Sequence, residues 1–92
     1  MDRQVLIFLT PMTSLKIKAF GITRDIVGGR EVILEMKEDN TVSHLRKILE
    51  EKYPDMKRIK SLLIAINNEY ADDTTLLKDE DEIALIPPVS GG

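Results

Sequence analysis

The stretch that decides the fold runs from Asn40 to Pro54 and reads NTVSHLRKILEEKYP. Asn40 or Thr41 offers a side-chain oxygen that can cap the first backbone N–H groups of a helix, and Pro54 prevents the helix from continuing. Apolar residues between them recur at the spacing of one helical face, at Val42, Leu45, Ile48, Leu49 and Tyr53. We therefore predict one main helix that ends near Lys52 or Tyr53.

Two segments of alternating polar and apolar residues precede this helix, Leu15–Phe20 and Glu31–Met36. Alternation with period two predicts strands with one buried face. The segment from Ile22 to Gly29 is predicted as a connecting loop with a turn at Gly28-Gly29. The pattern predicts an antiparallel hairpin whose inward residues are Leu15, Ile17, Ala19, Val32, Leu34 and Met36.

Two further strands are predicted after the helix, at Leu62–Ile66 and Glu82–Ile86. The first is followed by the turn-prone pair Asn67-Asn68. The acidic segment between the strands is predicted as a loop anchored by Leu76 and Leu77. The core should contain Ile17, Val32, Leu34, Val42, Leu45, Ile48, Leu49, Ile64, Ile83 and Leu85.

The order strand, strand, helix, strand, loop, strand predicts an α+β domain with one main helix across a mixed sheet. We place the domain at residues 14–88, followed by a tail at residues 89–92. Residues 1–13 are predicted to be an N-terminal extension outside the domain. Their apolar run, Val5–Leu9, leaves open the alternative of a short extra strand.

Composition argues against several classes of function. The 92 residues carry a net charge of −3 and contain no cysteine and one histidine, His44. No cluster of basic residues with interleaved aromatics is present, so nucleic acid is not an expected partner. No apolar run approaches the roughly 20 residues that span a bilayer, so a membrane is not expected either. We predict no metal site, and the absence of cysteine suits a cytoplasmic location.

The sequence ends IALIPPVSGG, from Ile83 to Gly92. Proline ends a strand and fixes the direction of the chain, so Pro87 and Pro88 should aim the tail away from the sheet. Val89 and Ser90 lead to Gly91 and Gly92, which lack a Cβ atom and can enter a narrow site. The α-carboxylate of Gly92 is a candidate reactive group, because it becomes an electrophile once it is activated, for example as an acyl-adenylate.

This ending and three other segments resemble the small subunit of molybdopterin synthase, the MoaD family of sulfur carriers. The other segments are FGITRDIVGG, TVSHLRKILEEKYP and LLIAINNEY, and the resemblance covers Leu15 to Gly92. It implies the β-grasp, or ubiquitin-like, fold. It also implies that an ATP-dependent activating enzyme adenylates Gly92 and that a sulfur donor converts it to a thiocarboxylate.

The resemblance further implies that the tail, Pro87 to Gly92, inserts into a large catalytic subunit. There the sulfur passes to cyclic pyranopterin monophosphate in molybdenum cofactor biosynthesis. The chain itself would be a non-catalytic subunit of a heteromeric sulfurtransferase and would bind no cofactor. Phe20, Tyr70 and Ile86 fall where this family contacts its partner, and neighbouring first and last strands would bring them into one exposed apolar patch.

Three alternatives remain open from the sequence. The first is a sulfur carrier for another pathway, thiazole synthesis or tRNA thiolation. The second is a ubiquitin-like protein modifier, whose tail chemistry begins in the same way and ends in an isopeptide bond to lysine. The third is an interaction module with an inert tail, which predicts no ATP-dependent change at Gly92.

Overall fold

The computed structural model describes residues 13–37 and 40–88. Within these ranges the chain forms five strands, two α-helices and one 3₁₀ helix. The strands β1 and β2 flank a short helix, α1, and the main helix, α2, comes next. The bounds are β1 Thr13–Ala19, α1 Ile22–Val27, β2 Glu31–Met36, α2 Val42–Lys52, the 3₁₀ helix Pro54–Arg58, β3 Leu63–Ile66, β4 Glu69–Tyr70 and β5 Glu82–Ile86.

The strands form one mixed sheet in the order β2-β1-β5-β3-β4. β1 pairs antiparallel with β2, with Thr13 opposite Met36 and Lys18 opposite Glu31, which confirms the predicted hairpin. β5 lies beside β1 in parallel and beside β3 in antiparallel orientation. The first and last strands are therefore neighbours in the middle of the sheet, and the α+β class is confirmed. β1 begins at Thr13, one residue before the predicted start of the domain.

The main helix begins and ends where the sequence predicts. Thr41 is its N-cap, and the Thr41 Oγ1 atom accepts a hydrogen bond from the backbone N–H of His44 at 3.2 Å. At the other end the N–H of Tyr53 donates to the carbonyl of Leu49 at 2.8 Å, just before Pro54. The apolar face of α2 joins the sheet residues in one core, with Leu45 fully buried.

The predicted core is confirmed for eight of its ten residues, which are buried. The other two, Val32 and Ile48, are half-buried and pack against the core. The predicted anchoring pair Leu76-Leu77 is half wrong, because Leu77 is buried whereas Leu76 is 65% exposed. The backbone of Leu76 forms a bridge to Thr41, so its side chain points out while its neighbour reaches the core.

The prediction of a loop from Ile22 to Gly29 is wrong, because Ile22–Val27 forms helix α1. Six residues make less than two turns, so no helical periodicity can be read from them. The helix stops at Gly28, whose φ of 84° lies in the left-handed region that glycine readily adopts. The N–H groups of Gly28 and Gly29 both donate to the carbonyl of Arg24, at 2.8 and 3.1 Å.

No helix formed by residues 13–37 and 40–88 combines the length and the apolar character that crossing a bilayer requires.

Candidate functional site: an apolar groove beside the tail root

The sheet face turned away from the core carries a shallow groove, here called the outer groove. It lies across β1, β5, β3 and β4, and two of its lining residues, Lys18 and Glu82, form a salt bridge 3.1 Å long between Nζ and Oε2. Apart from this ion pair and Asn68, the lining is apolar or aromatic. The lining residues are Lys18, Phe20, Ala65, Asn68, Tyr70, Glu82, Ile83, Ala84 and Ile86.

The three residues predicted as a partner patch all line the outer groove. Phe20 is 40% exposed and Tyr70 is 70% exposed, whereas Ile86 is half-buried. Strand alternation turns Ile86 outward, and the pairing of β1 with β5 ends at Ala19 and Leu85, so Phe20 follows β1 beside this end of β5. The structure therefore brings the three side chains to one surface, and their role in partner binding stays a prediction.

Sequence reasoning missed two features of this surface. Leu63 lies opposite Ile86 in the β3–β5 pair and is 45% exposed. Ala65 lies opposite both Ala84 and Tyr70, so small side chains form the floor of the groove. The signal was present, because an inward Ile64 requires outward neighbours on both sides in a strand of period two.

The tail leaves the sheet at the edge of this groove. β5 ends at Ile86 and is followed by Pro87, which is half-buried, and by the exposed Pro88. Pro87 packs against Gly21 so closely that a Cβ atom built on the glycine would lie 3.0 Å from Pro87 Cγ. Gly21 has φ 57° and ψ −135°, a backbone conformation open mainly to glycine. The predicted tail residues Val89, Ser90, Gly91 and Gly92 lie outside the described residues.

The part of the chain that the structure describes contains no candidate set of metal ligands. No three side chains of histidine, cysteine, aspartate or glutamate within residues 13–37 and 40–88 lie close enough to hold a metal ion. His44 donates its backbone N–H to the Thr41 cap and lies on the main helix, away from the outer groove.

A model of the ThiS family matches residues 17–92 of the sequence. The chain belongs to the ThiS family. The match starts within β1 and includes every later element together with the tail, which agrees with the exclusion of the first residues from the resemblance.

Named relatives of this ThiS-family chain are molybdopterin synthase sulfur carrier subunits. The one from Caenorhabditis briggsae is 40% identical over an alignment of 84 residues, which covers 88% of this chain and 100% of the relative. The one from Arabidopsis thaliana is 31% identical over 84 residues, covering 90% of this chain and 88% of the relative. The identification of the chain as MoaD-type is thereby confirmed.

Solved structures extend the likeness to three dimensions. A putative molybdopterin converting factor subunit 1 from Pyrococcus furiosus aligns with a TM-score of 0.77 at 26% identity, over 84% of this chain and 99% of that one. Small archaeal modifier protein 1 from Methanosarcina acetivorans aligns with a TM-score of 0.74 at 32% identity, over 89% and 99%. A complex of subunits 1 and 2 of the molybdopterin-converting factor from Helicobacter pylori gives a TM-score of 0.61 at 31% identity, over 87% and 100%. The β-grasp prediction is confirmed.

Proposed function

We propose that this ThiS-family chain is the sulfur-carrier subunit of a molybdopterin synthase. One observation carries the proposal: β5, in the middle of the sheet, runs straight into Pro87-Pro88 beside the apolar outer groove. The proposed partner surface and the root of the proposed reactive tail therefore adjoin each other. Relatives that carry this function in their names support the assignment.

In this proposal Gly92 is the working residue. Its carboxylate is a poor electrophile, so a separate activating enzyme uses ATP to adenylate it. A sulfur donor then displaces the adenylate and leaves a thiocarboxylate. The chain binds no cofactor of its own, and the ATP belongs to the activating enzyme.

The catalytic site for sulfur transfer belongs to a large partner subunit. There the thiocarboxylate of Gly92 passes its sulfur to cyclic pyranopterin monophosphate. Val89, Ser90 and Gly91 supply the reach, and the two terminal glycines keep the tip slim enough for a narrow, water-poor channel. The chain acts as a carrier and not as an enzyme, and we expect this chemistry in the cytoplasm.

The outer groove is the proposed docking face for the large subunit. Clustered exposed apolar residues mark protein interfaces, and buried aromatic anchors supply much of the binding energy there. Phe20 and Tyr70 are the aromatic anchors, Ile86 lines the groove with them, and Leu63 adds exposed apolar area opposite Ile86. The salt bridge of Lys18 with Glu82 lies at the polar rim. Docking on this face would hold Pro87 at the entrance of the channel in the large subunit, which the tail must enter.

The deciding experiment is intact-mass analysis of the untagged protein after incubation with ATP, an activating enzyme and a sulfur donor. The expected product has one carboxylate oxygen of Gly92 replaced by sulfur, and it depends on ATP. Adding the large subunit and cyclic pyranopterin monophosphate should then yield molybdopterin and regenerate the carboxylate. An unchanged mass, with no molybdopterin formed, contradicts the proposal.

A second candidate function, conjugation to proteins, is favoured by the similarity to small archaeal modifier protein 1. The activation of Gly92 would be the same, but the acyl group would end in an isopeptide bond to a lysine. The two functions separate in one experiment on cell extracts. Peptides in which a lysine side chain carries the C-terminal segment of this chain, joined through Gly92, would support the modifier, whereas molybdopterin formation without such peptides supports the carrier.

A further inference from the structure

The chain makes a sharp corner where β1 ends, and the corner carries the exposed ring of Phe20. β1 stops at Ala19 and α1 begins at Ile22, so two residues, Phe20 and Gly21, connect the strand to the helix. Phe20 belongs to no regular element, yet its ring lines the outer groove. Its position must therefore be fixed by side-chain contacts.

One buried hydroxyl holds both polar backbone groups of Phe20. The side chain of Thr23 is 0% exposed. Its Oγ1 atom accepts a hydrogen bond from the N–H of Phe20 at 2.8 Å and donates one to the carbonyl of Phe20 at 2.5 Å. The backbone N–H of Thr23 also donates to that carbonyl, at 3.1 Å. Three hydrogen bonds thus lock the backbone from which the ring projects.

Arg24, the next residue in α1, holds the same corner from its other side. Its Nε atom donates to the carbonyl of Ala19 at 3.1 Å, and its guanidinium lies 5.9 Å from the centre of the Phe20 ring. The first turn of α1 therefore contacts both the backbone and the ring of the corner. A ring held in place before binding loses less conformational freedom when a partner covers it.

We propose that Thr23 is a positioning residue for the partner interface, because its buried hydroxyl sets the place of the Phe20 ring in the outer groove. Because Thr23 is fully buried, a partner on the surface cannot contact it, so it acts through Phe20. The inference rests on the proposed function, since it takes the outer groove as the face that binds the large subunit. It explains why a threonine side chain is fully buried at this corner.

The test compares Thr23→Val with Thr23→Ser. Valine keeps the shape of threonine and removes the hydroxyl, whereas serine keeps the hydroxyl and removes a methyl group. The affinity of each variant for the purified large subunit is measured by titration calorimetry. Thr23→Val should bind about 5- to 10-fold more weakly, the effect of about one lost hydrogen bond. Thr23→Ser should stay within about twofold of the wild type.

A double-mutant cycle with Phe20→Ala separates positioning from a general structural role. If Thr23 acts through the ring, Thr23→Val should cause no further loss of affinity once the ring is absent. An equal loss in both backgrounds overturns the proposal, and so does wild-type affinity of the Thr23→Val variant. A loss of affinity in Thr23→Ser as large as in Thr23→Val overturns it too.

Amide hydrogen exchange tests the proposal on the wild-type protein, so it can be measured even if Thr23→Val does not fold. The Phe20 N–H should exchange as slowly as the amides of β1, because Thr23 holds it. Fast exchange at Phe20 alone overturns the proposal. A different result would contradict the proposed function itself: wild-type protein that neither binds the large subunit nor supports molybdopterin formation.

Discussion

Replacing Gly21 by alanine should damage the tail root in a way that a similar change at Gly28 does not. Both glycines have positive φ values, 57° and 84°. An added Cβ atom at Gly21 would lie 3.0 Å from Pro87 Cγ, whereas one at Gly28 would meet nothing within 4 Å. Gly28→Ala is therefore the matched control, since it also places alanine at a positive φ and lacks the contact with the tail.

The effect on stability follows from the backbone conformations. At Gly21, ψ of −135° places the residue in a region nearly closed to other residues, so alanine should cost about 1–3 kcal/mol. At Gly28 the left-handed helical conformation should cost alanine about 1–2 kcal/mol. For a domain of this size each kcal/mol lowers Tm by about 4–8 °C. Calorimetry or circular dichroism should thus show a loss of Tm in both variants.

The rate of molybdopterin formation should distinguish Gly21→Ala from Gly28→Ala. Pro87 must move by a few tenths of an ångström to accept the new methyl group, and that shift changes the direction in which the chain leaves β5. A misplacement of about 1 Å at a reacting atom can slow a reaction by about a hundredfold. Gly21→Ala should therefore slow molybdopterin formation by tenfold or more at saturating large subunit, while Gly28→Ala keeps the wild-type rate. Equal rates for the two variants, measured well below both Tm values, refute this reasoning.

Four other outcomes are expected. Leu45→Ala, at a fully buried position of α2, should lower the free energy of unfolding by about 2–5 kcal/mol in urea titrations; a loss below about 1 kcal/mol would contradict the assigned core. Phe20→Ala should weaken binding of the large subunit in calorimetry while Tm stays nearly constant, because the ring is 40% exposed; lost Tm with intact binding would place Phe20 in the core. Deleting Gly92, or adding one residue after it, should abolish thiocarboxylate and molybdopterin formation in the mass assay without a change in Tm, since a terminal residue adds little packing; normal molybdopterin formation would disprove the carrier role. The pKa of Asp72 lies below its ordinary value because its carboxylate accepts hydrogen bonds from Thr74 and Thr75, so these bonds stabilise the fold at neutral pH and are lost as the pH falls through that pKa; an NMR titration that gives Asp72 an ordinary pKa would contradict this.

The sequence determined the regular elements of the fold because their signals are local. The spacing of Val42, Leu45 and Leu49, the cap at Thr41 and the stop at Pro54 lie within one short segment, and each was confirmed. Strand alternation likewise gave the inward residues and the outward orientation of Phe20. The PPVSGG ending pointed to the candidate chemistry, because the reactivity of a terminal carboxylate does not depend on how the rest of the chain packs.

Only the tertiary structure decided how these parts are placed relative to one another. The parallel pairing of β1 with β5 joins residues more than sixty positions apart, and no local pattern encodes it. Helix α1 escaped detection because six residues carry no periodic signal, and its Thr23 read as an ordinary loop residue until the fold buried it under Phe20. The contact of Gly21 with Pro87 likewise exists only because the sheet brings the end of β1 to the end of β5. The sequence thus supplied the reactive tip and the elements, whereas the long-range pairing of the sheet built the surface from which the tip leaves.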